Sequence, residues 1–240
     1  MLTIPNKSKP YLMAHRGNSA QCPENTLASF RRAIQDGADI IETDLHLTAD
    51  GEFVCIHDAT VNRTTNGSGS VAEMTLAQIQ SLSASYGRIG FEAERVPTLR
   101  EVIDLLPDNM VLALELKTDR FLEPEVCRQL ADVVAPLGNR VLALSFSLPR
   151  LYAIQQHTPH IPTGFITLKQ LGPRLDVAVL GPFWPILLIF PLYVWLAHRH
   201  GKFVCPLDVT PDARLWYYQG LGCDAIMTND PAVTGKKLRK

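Results

Sequence analysis

At 240 residues and 46% hydrophobic composition the chain can bury one large core, and 23 lysines and arginines against 24 aspartates and glutamates leave a formal net charge of −1. That balance gives no global field for nucleic acid or an anionic surface, so any charge preference must be local. The cysteines Cys22, Cys55, Cys127, Cys205 and Cys223 are scattered, without the paired spacing of a zinc or redox motif, which fits a reducing compartment.

The N-terminal segment, residues 1–10, is polar and lacks the apolar run of a secretory signal, so cytoplasmic residence is the expectation. From there short apolar runs alternate with stretches of helical period, the pattern of parallel strands joined by crossover helices. Eight strands are predicted near 11–15, 39–45, 110–116, 140–146, 162–166, 176–180, 202–207 and 223–228. Eight such units in one chain point to an α/β fold, a closed (β/α)8 TIM barrel. The first helix is expected to open at Pro23 and Glu24, to bury Leu27, Phe30 and Ile34, and to stop at Gly37.

After the second strand the alternation breaks. Thr48-Ala49-Asp50-Gly51 has turn chemistry and leads straight into residues 52–57, which reads as an extra β-hairpin. A turn centred on Asp50-Gly51 sets His57 opposite Asp44, and a slightly longer one sets it opposite Glu42. A small insertion at about 58–97 follows, with a short helix at 75–82, before a helix at 98–106. Later helices are expected at 123–136, 149–157, 185–199 and 210–220. Pro and Gly are spread through the connections, so no linker divides the chain.

Strand side chains alternate in direction, which places Glu42 and Asp44 on one face of the second strand and Glu115 and Lys117 on one face of the third. Ala113, Glu115 and Lys117 would face the barrel axis, with Leu112, Leu114 and Leu116 toward the helices. Ionised carboxylates in such an interior cost several kcal/mol each unless paired or coordinated. An ion pair between Glu115 and Lys117, with backbone donors for Glu42 and Asp44, is one solution. A shared divalent metal is the other, and an all-oxygen ligand set suits Mg²⁺, Ca²⁺ or Mn²⁺ rather than zinc. His15 should sit at the C-terminal rim of the first strand, where active sites of this fold are built. His15 and His57 flanking a metal read as general base and general acid, in either order. Arg16 offers a planar cationic fork for phosphate oxygens. His46, His157, His160, His198 and His200 read as surface or packing residues.

In order and spacing, these residues resemble the glycerophosphodiester phosphodiesterase family. The likeness runs through His15-Arg16-Gly17, Pro23-Glu24-Asn25-Thr26, Glu42-Thr43-Asp44, His57-Asp58, Arg63-Thr64-Thr65 and Glu115-Leu116-Lys117, and returns at Thr228-Asn229-Asp230-Pro231. It is dense from about 11 to 117 and thinner beyond. The resemblance implies one catalytic barrel over 1–240, His15 and His57 as the acid/base pair, and Arg16 and Lys117 on the substrate phosphate. It implies Ca²⁺ or Mg²⁺ on Glu42, Asp44 and Glu115, and a small glycerophosphodiester as substrate. In the implied mechanism a substrate glycerol hydroxyl attacks phosphorus, one imidazole protonates the departing alcohol, and water opens the cyclic phosphate. Where the family commonly has Trp-Thr-Val-Asn, this chain has Leu207-Asp208-Val209-Thr210. Asp208 would then join the metal, contact a cationic head group or cap the next helix.

The stretch 177–197 holds no charged side chain. Its Gly181, Pro182, Pro185 and Pro191 argue for a strand and a helix of the barrel rather than a membrane span. Its aromatic and aliphatic surplus at 181–197 fits ordinary burial, a second subunit, peripheral membrane contact or a lipophilic substrate wall. Two rival functions follow: a lysophospholipase D-like enzyme at a membrane surface, and a non-catalytic binding barrel.

Overall fold

The computed structural model describes residues 3–170 and 172–239. Eight parallel strands form a nearly closed barrel: β1 (Tyr11–His15), β2 (Ile40–Leu47), β4 (Val111–Leu116), β5 (Val141–Ser145), β6 (Thr163–Thr167), β7 (Val179–Pro182), β8 (Phe203–Val204) and β9 (Ala225–Thr228). Strand β3 (Phe53–Cys55) lies off this path and pairs antiparallel with β2 as the expected hairpin. At the seam between β8 and β9 a side chain completes the pairing. Asp224 N–H donates to Val204 O, and Asp224 Oδ2 accepts from Val204 N, each at 2.8 Å. His198 Nε2 at 2.8 Å and Lys9 Nζ at 2.5 Å hold the same carboxylate.

The helices are α1 (Leu27–Gln35), α2 (Leu76–Gln80), α3 (Leu99–Leu105), α4 (Pro124–Val134), α5 (Leu148–His157), α6 (Trp184–Ile189), α7 (Tyr193–Arg199), α8 (Leu215–Leu221) and α9 (Pro231–Leu238). Leu112, Leu114 and Leu116 pack outward against Val126 and Leu130 of α4, while Val111 and Ala113 face Met13, Ile40 and Leu142 inside the barrel. The insertion after β3 has its own small core of Val61, Val71, Ile79, Ala84 and Val96.

Several expected boundaries move, each for a local reason. Helix α1 starts at Leu27, not at Pro23: Thr26 and Ser29 form a reciprocal capping box, and Asn25 sits at φ +54°, outside helical space. Strand β7 runs to Pro182 instead of ending near 180: Gly181 pairs with Ile166 and Pro182 with Thr167, and the Pro182 carbonyl accepts from Leu207 N–H at 2.8 Å, so the proline keeps its place in the ladder through its acceptor. Between Phe203-Val204 and the isolated bridge from Leu207 to Phe183 the expected seventh strand lapses at Pro206. The helix expected over 185–199 is two helices, α6 and α7, parted at 190–192 where Pro191 removes a donor. Helix α8 begins at Leu215, after a separate 3₁₀ turn at Pro211–Ala213. The hairpin register pairs Leu45 with Cys55, and Ile56 N–H donates to Asp44 O at 3.0 Å, so Ile56 rather than His57 meets Asp44. His57 is the next residue beyond. Among the described residues no helix is long and apolar enough to cross a membrane.

Candidate active site

Glu42, Asp44 and Glu115 are brought together by strand register: Asp44 of β2 lies opposite Glu115 of β4, with Glu42 two residues earlier on the same face. One oxygen from each lies within 4.8 Å of the others. They are 1%, 0% and 7% exposed. The solution by an ion pair and hydrogen-bond donors is partly present. Glu42 Oε2 accepts from Arg16 N–H at 2.9 Å, Glu115 Oε1 accepts from Lys117 Nζ at 2.9 Å, and Asp44 Oδ2 accepts from Asn25 Nδ2 at 2.8 Å. Asp44 Oδ1 has no hydrogen-bond partner, and its nearest cation is Lys117 Nζ at 3.5 Å.

The charge balance of this nest is incomplete. Burial, then the neighbouring charges of Asp44 and Glu115, push the Glu42 carboxyl well above its ordinary range. Burial and Asp44 likewise raise Glu115. For Asp44 burial is again the largest influence and pushes up, but Arg16, Lys117 and His57 together outweigh it and hold the carboxyl low. An all-oxygen donor set with an orphaned carboxylate oxygen fits a hard divalent cation, which would relieve all three acids at once.

His15 stands in register with Glu42 at the C-terminal end of β1. Its Nδ1 lies 2.7 Å from Asn229 Oδ1, an acceptor, so Nδ1 carries the proton and Nε2 is left with its lone pair. Burial, reinforced by Arg16, lowers the His15 pKa to about 4. His57 has the opposite kind of partner: its Nδ1 is 2.6 Å from the Asp58 carboxylate. The carbonyl of His57 is held by His46 Nε2 at 3.2 Å, so His46 packs under the hairpin as expected of a structural histidine.

Arg16 and Gly17 turn sharply out of β1 with φ of +56° and +78°. The turn throws the Arg16 side chain back over the acids. Its Nη1 donates to Glu24 Oε1 at 3.0 Å, and its Nε lies 3.1 Å from Asp44 Oδ2.

The sequence model of the glycerophosphoryl diester phosphodiesterase family matches residues 15–233, from His15 into α9. The chain belongs to this family. It is therefore a phosphoric diester hydrolase by membership. It is 35% identical to the glycerophosphodiester phosphodiesterase of Caldanaerobacter subterraneus subsp. tengcongensis, over 97% of this chain and 99% of that one. Human glycerophosphodiester phosphodiesterase 1 is 35% identical over 82% of this chain and 62% of its own length. Among solved structures, an Oleispira antarctica phosphodiesterase in complex with the product sn-glycerol-3-phosphate superimposes with a TM-score of 0.87 at 28% identity, covering 96% of this chain and 97% of that one. The Agrobacterium tumefaciens glycerophosphodiester phosphodiesterase gives 0.84 at 25% identity, over 94% and 99% of the two chains.

His15, Arg16, Glu42, Asp44, His57, Glu115 and Lys117 come together in one place. Asp208, also singled out from sequence, does not join them. It accepts from Arg214 Nε at 2.7 Å, from Tyr218 Oη at 2.6 Å and from Thr210 N at 3.1 Å, which fixes the loop before α8. It caps neither the 3₁₀ turn at Pro211–Ala213 nor α8, so of the expected cap and loop role only the loop part is met. Sequence reasoning gave no part in the site to Asn25, Asn229, Glu24, Asp58 or Arg63, although each fell inside a quoted motif. Adjacency to a histidine was a usable signal for Asp58. Asn229 had none, since its partner is 214 residues away.

Proposed function

We propose that this protein hydrolyses glycerophosphodiesters to an alcohol and glycerol 3-phosphate, using a divalent cation on Glu42, Asp44 and Glu115 and the imidazoles of His15 and His57. The observation that carries the reading is the contrast between the two histidine partners, a neutral amide on His15 and a carboxylate on His57, at the edge of one nest of acids.

The partners assign the roles. His15, its Nδ1–H occupied and its Nε2 free, is the base: it takes the proton of a substrate glycerol hydroxyl as that oxygen bonds to phosphorus. His57, whose Nδ1 is held by the Asp58 carboxylate, is the acid: it protonates the alcohol oxygen as its bond to phosphorus breaks. The roles then reverse. Neutral His57 takes a proton from water attacking the cyclic phosphate, and protonated His15 returns its proton to the glycerol oxygen. Arg16, aimed in advance by Glu24, and Lys117 meet the nonbridging oxygens. When bound, the cation supplies Lewis-acid stabilisation of phosphoryl charge.

Incubation with glycerophosphocholine, glycerophosphoethanolamine and glycerophosphoglycerol, with and without a chelator, tests this directly. Glycerol 3-phosphate is expected to appear, to vanish with chelator, and to return on adding Mg²⁺ or Ca²⁺. No release from any of the three diesters sinks the reading. A second reading, hydrolysis of lysolipids at a membrane surface, draws on Leu188 and Ile189, which are 54% and 75% exposed in the crossover that leaves the C-terminal end of β7. Faster turnover of lysophosphatidylcholine than of glycerophosphocholine selects it.

A further inference from the structure

The insertion after β3 delivers to the active-site rim one side chain that binds two site carboxylates at once. Arg63 Nε donates to Asp58 Oδ2 at 2.7 Å and its Nη2 to Asp58 Oδ1 at 3.1 Å. The other edge of the same guanidinium donates to Glu24, from Nη1 to Oε2 at 3.0 Å and from Nη2 to Oε1 at 2.8 Å. Each carboxylate passes the connection on. Asp58 holds His57, and Glu24 holds Arg16, which reaches Asp44. The result is one unbroken chain of hydrogen bonds and ion pairs from His57 through Asp58, Arg63, Glu24 and Arg16 to Asp44.

The insertion is built to hold that guanidinium in place. Its plane is backed by the Tyr86 ring at 5.6 Å, and Tyr86 is latched beside it by Tyr86 N–H donating to Thr64 O at 3.2 Å. Thr64 is buried, and the neighbouring Val61 and Ala84 anchor both segments in the insertion's own core. The plain alternative is a surface ion-pair cluster. The Arg63 side chain is 35% exposed, and exposed pairs add little stability. Bidentate pairing to two carboxylates at once does fix direction, which a lysine ammonium cannot reproduce.

We propose that Arg63 is a positioning residue for the diesterase reaction, setting the orientation of the acid His57 through Asp58 and of the phosphate-facing Arg16 through Glu24. This rests on the proposed function, and specifically on His57 as the proton donor to the departing alcohol.

The test compares two leaving groups. Departure of choline or ethanol from a glycerol phosphodiester needs a proton; departure of 4-nitrophenolate does not. Positioned acid catalysis contributes about 10²- to 10⁴-fold, so Arg63→Ala should lower kcat for glycerophosphocholine by about 10- to 100-fold with a smaller change in KM. On the 4-nitrophenyl ester of glycerol phosphate the loss should be several-fold smaller. Arg63→Lys should fall near Arg63→Ala, and added guanidinium ion should restore part of the Ala variant's rate. Asp58→Asn should show the same leaving-group dependence, and it reads the proposal independently of whether Arg63→Ala folds. Equal losses on both esters, or an unchanged kcat on glycerophosphocholine, overturn the positioning role. Wild-type protein inert on both esters, or His57→Ala with full turnover of glycerophosphocholine, overturns the functional reading itself and this inference with it.

Discussion

Asn25 holds Asp44 from behind. Its Nδ2 donates to Asp44 Oδ2 at 2.8 Å while its Oδ1 accepts from the Thr43 hydroxyl at 2.7 Å, so one amide fixes both its own orientation and that of the acid. Asn25 adopts φ +54°, a region that asparagine tolerates better than most residues. Asn25→Ala therefore loses a hydrogen bond to a buried charge and adds backbone strain. A destabilisation of about 2–4 kcal/mol is expected by urea titration. Asn25→Asp keeps the backbone but sets a fourth carboxylate against Asp44, so its loss should be larger at neutral pH than in acid. Neutral behaviour of both variants would remove Asn25 from the site's support.

The orphaned Asp44 Oδ1 and the raised Glu42 and Glu115 describe a nest short of positive charge. A ligand that binds only the folded chain stabilises it by about 2.7 kcal/mol at a hundredfold excess over Kd. Millimolar Mg²⁺ or Ca²⁺ should accordingly raise the thermal midpoint, reversibly with chelator. In Glu42→Gln and Glu115→Gln that rise should shrink or disappear. An equal rise in wild type and both variants would place the ion elsewhere. This readout does not depend on turnover.

The barrel was legible because its signals are local and periodic. Apolar runs mark the strands, and an i, i+2 spacing set Glu42 with Asp44 and Glu115 with Lys117. What failed to show were local punctuation that competes with the periodic pattern and contacts distant in sequence. The capping box of Thr26 and Ser29 overrode Pro23-Glu24 as a helix start, and Pro191 divided what its apolar period made look like one helix. The one-residue error in hairpin register came from the turn, where a single residue decides which side chain meets Asp44. Asn229 and Arg63 could be placed on the site only by the folded chain, because nothing in their own neighbourhoods names His15 or Glu24 as partners.

Asp208 ties its stability contribution to pH. Burial pushes its carboxyl up, but hydrogen bonds from Arg214 and Tyr218 outweigh this and hold it below the ordinary value. A depressed folded pKa means stabilisation present above the unfolded value, about pH 4, and lost as pH falls through the folded value. Asp208→Asn should therefore cost about 1–3 kcal/mol at pH 7, with the gap from wild type closing in acid. Urea midpoints across pH 3 to 8 check the sign. A gap that widened toward acid would contradict it.

Two glycines separate conformational cost from packing cost. Gly17 has φ +78°, and a Cβ there would lie 2.4 Å from Ser29 Oγ and 2.6 Å from the Ser29 carbonyl carbon. Backbone cannot yield there cheaply, since Ser29 Oγ donates to Arg16 O at 3.0 Å and also belongs to the α1 cap. Gly51 has φ +84° in the hairpin turn, with nothing within 4 Å of the same position. Gly51→Ala should cost only the left-handed backbone term, about 1–2 kcal/mol, with kcat unchanged. Gly17→Ala bears that term and the clash together. It should lose at least about 1–3 kcal/mol more, the usual cost of overpacking, and should depress kcat because the turn that yields is the one that aims Arg16. Urea titration and glycerophosphocholine turnover of the two variants side by side decide it: equal losses in stability would mean that the contact with Ser29 does not constrain the turn.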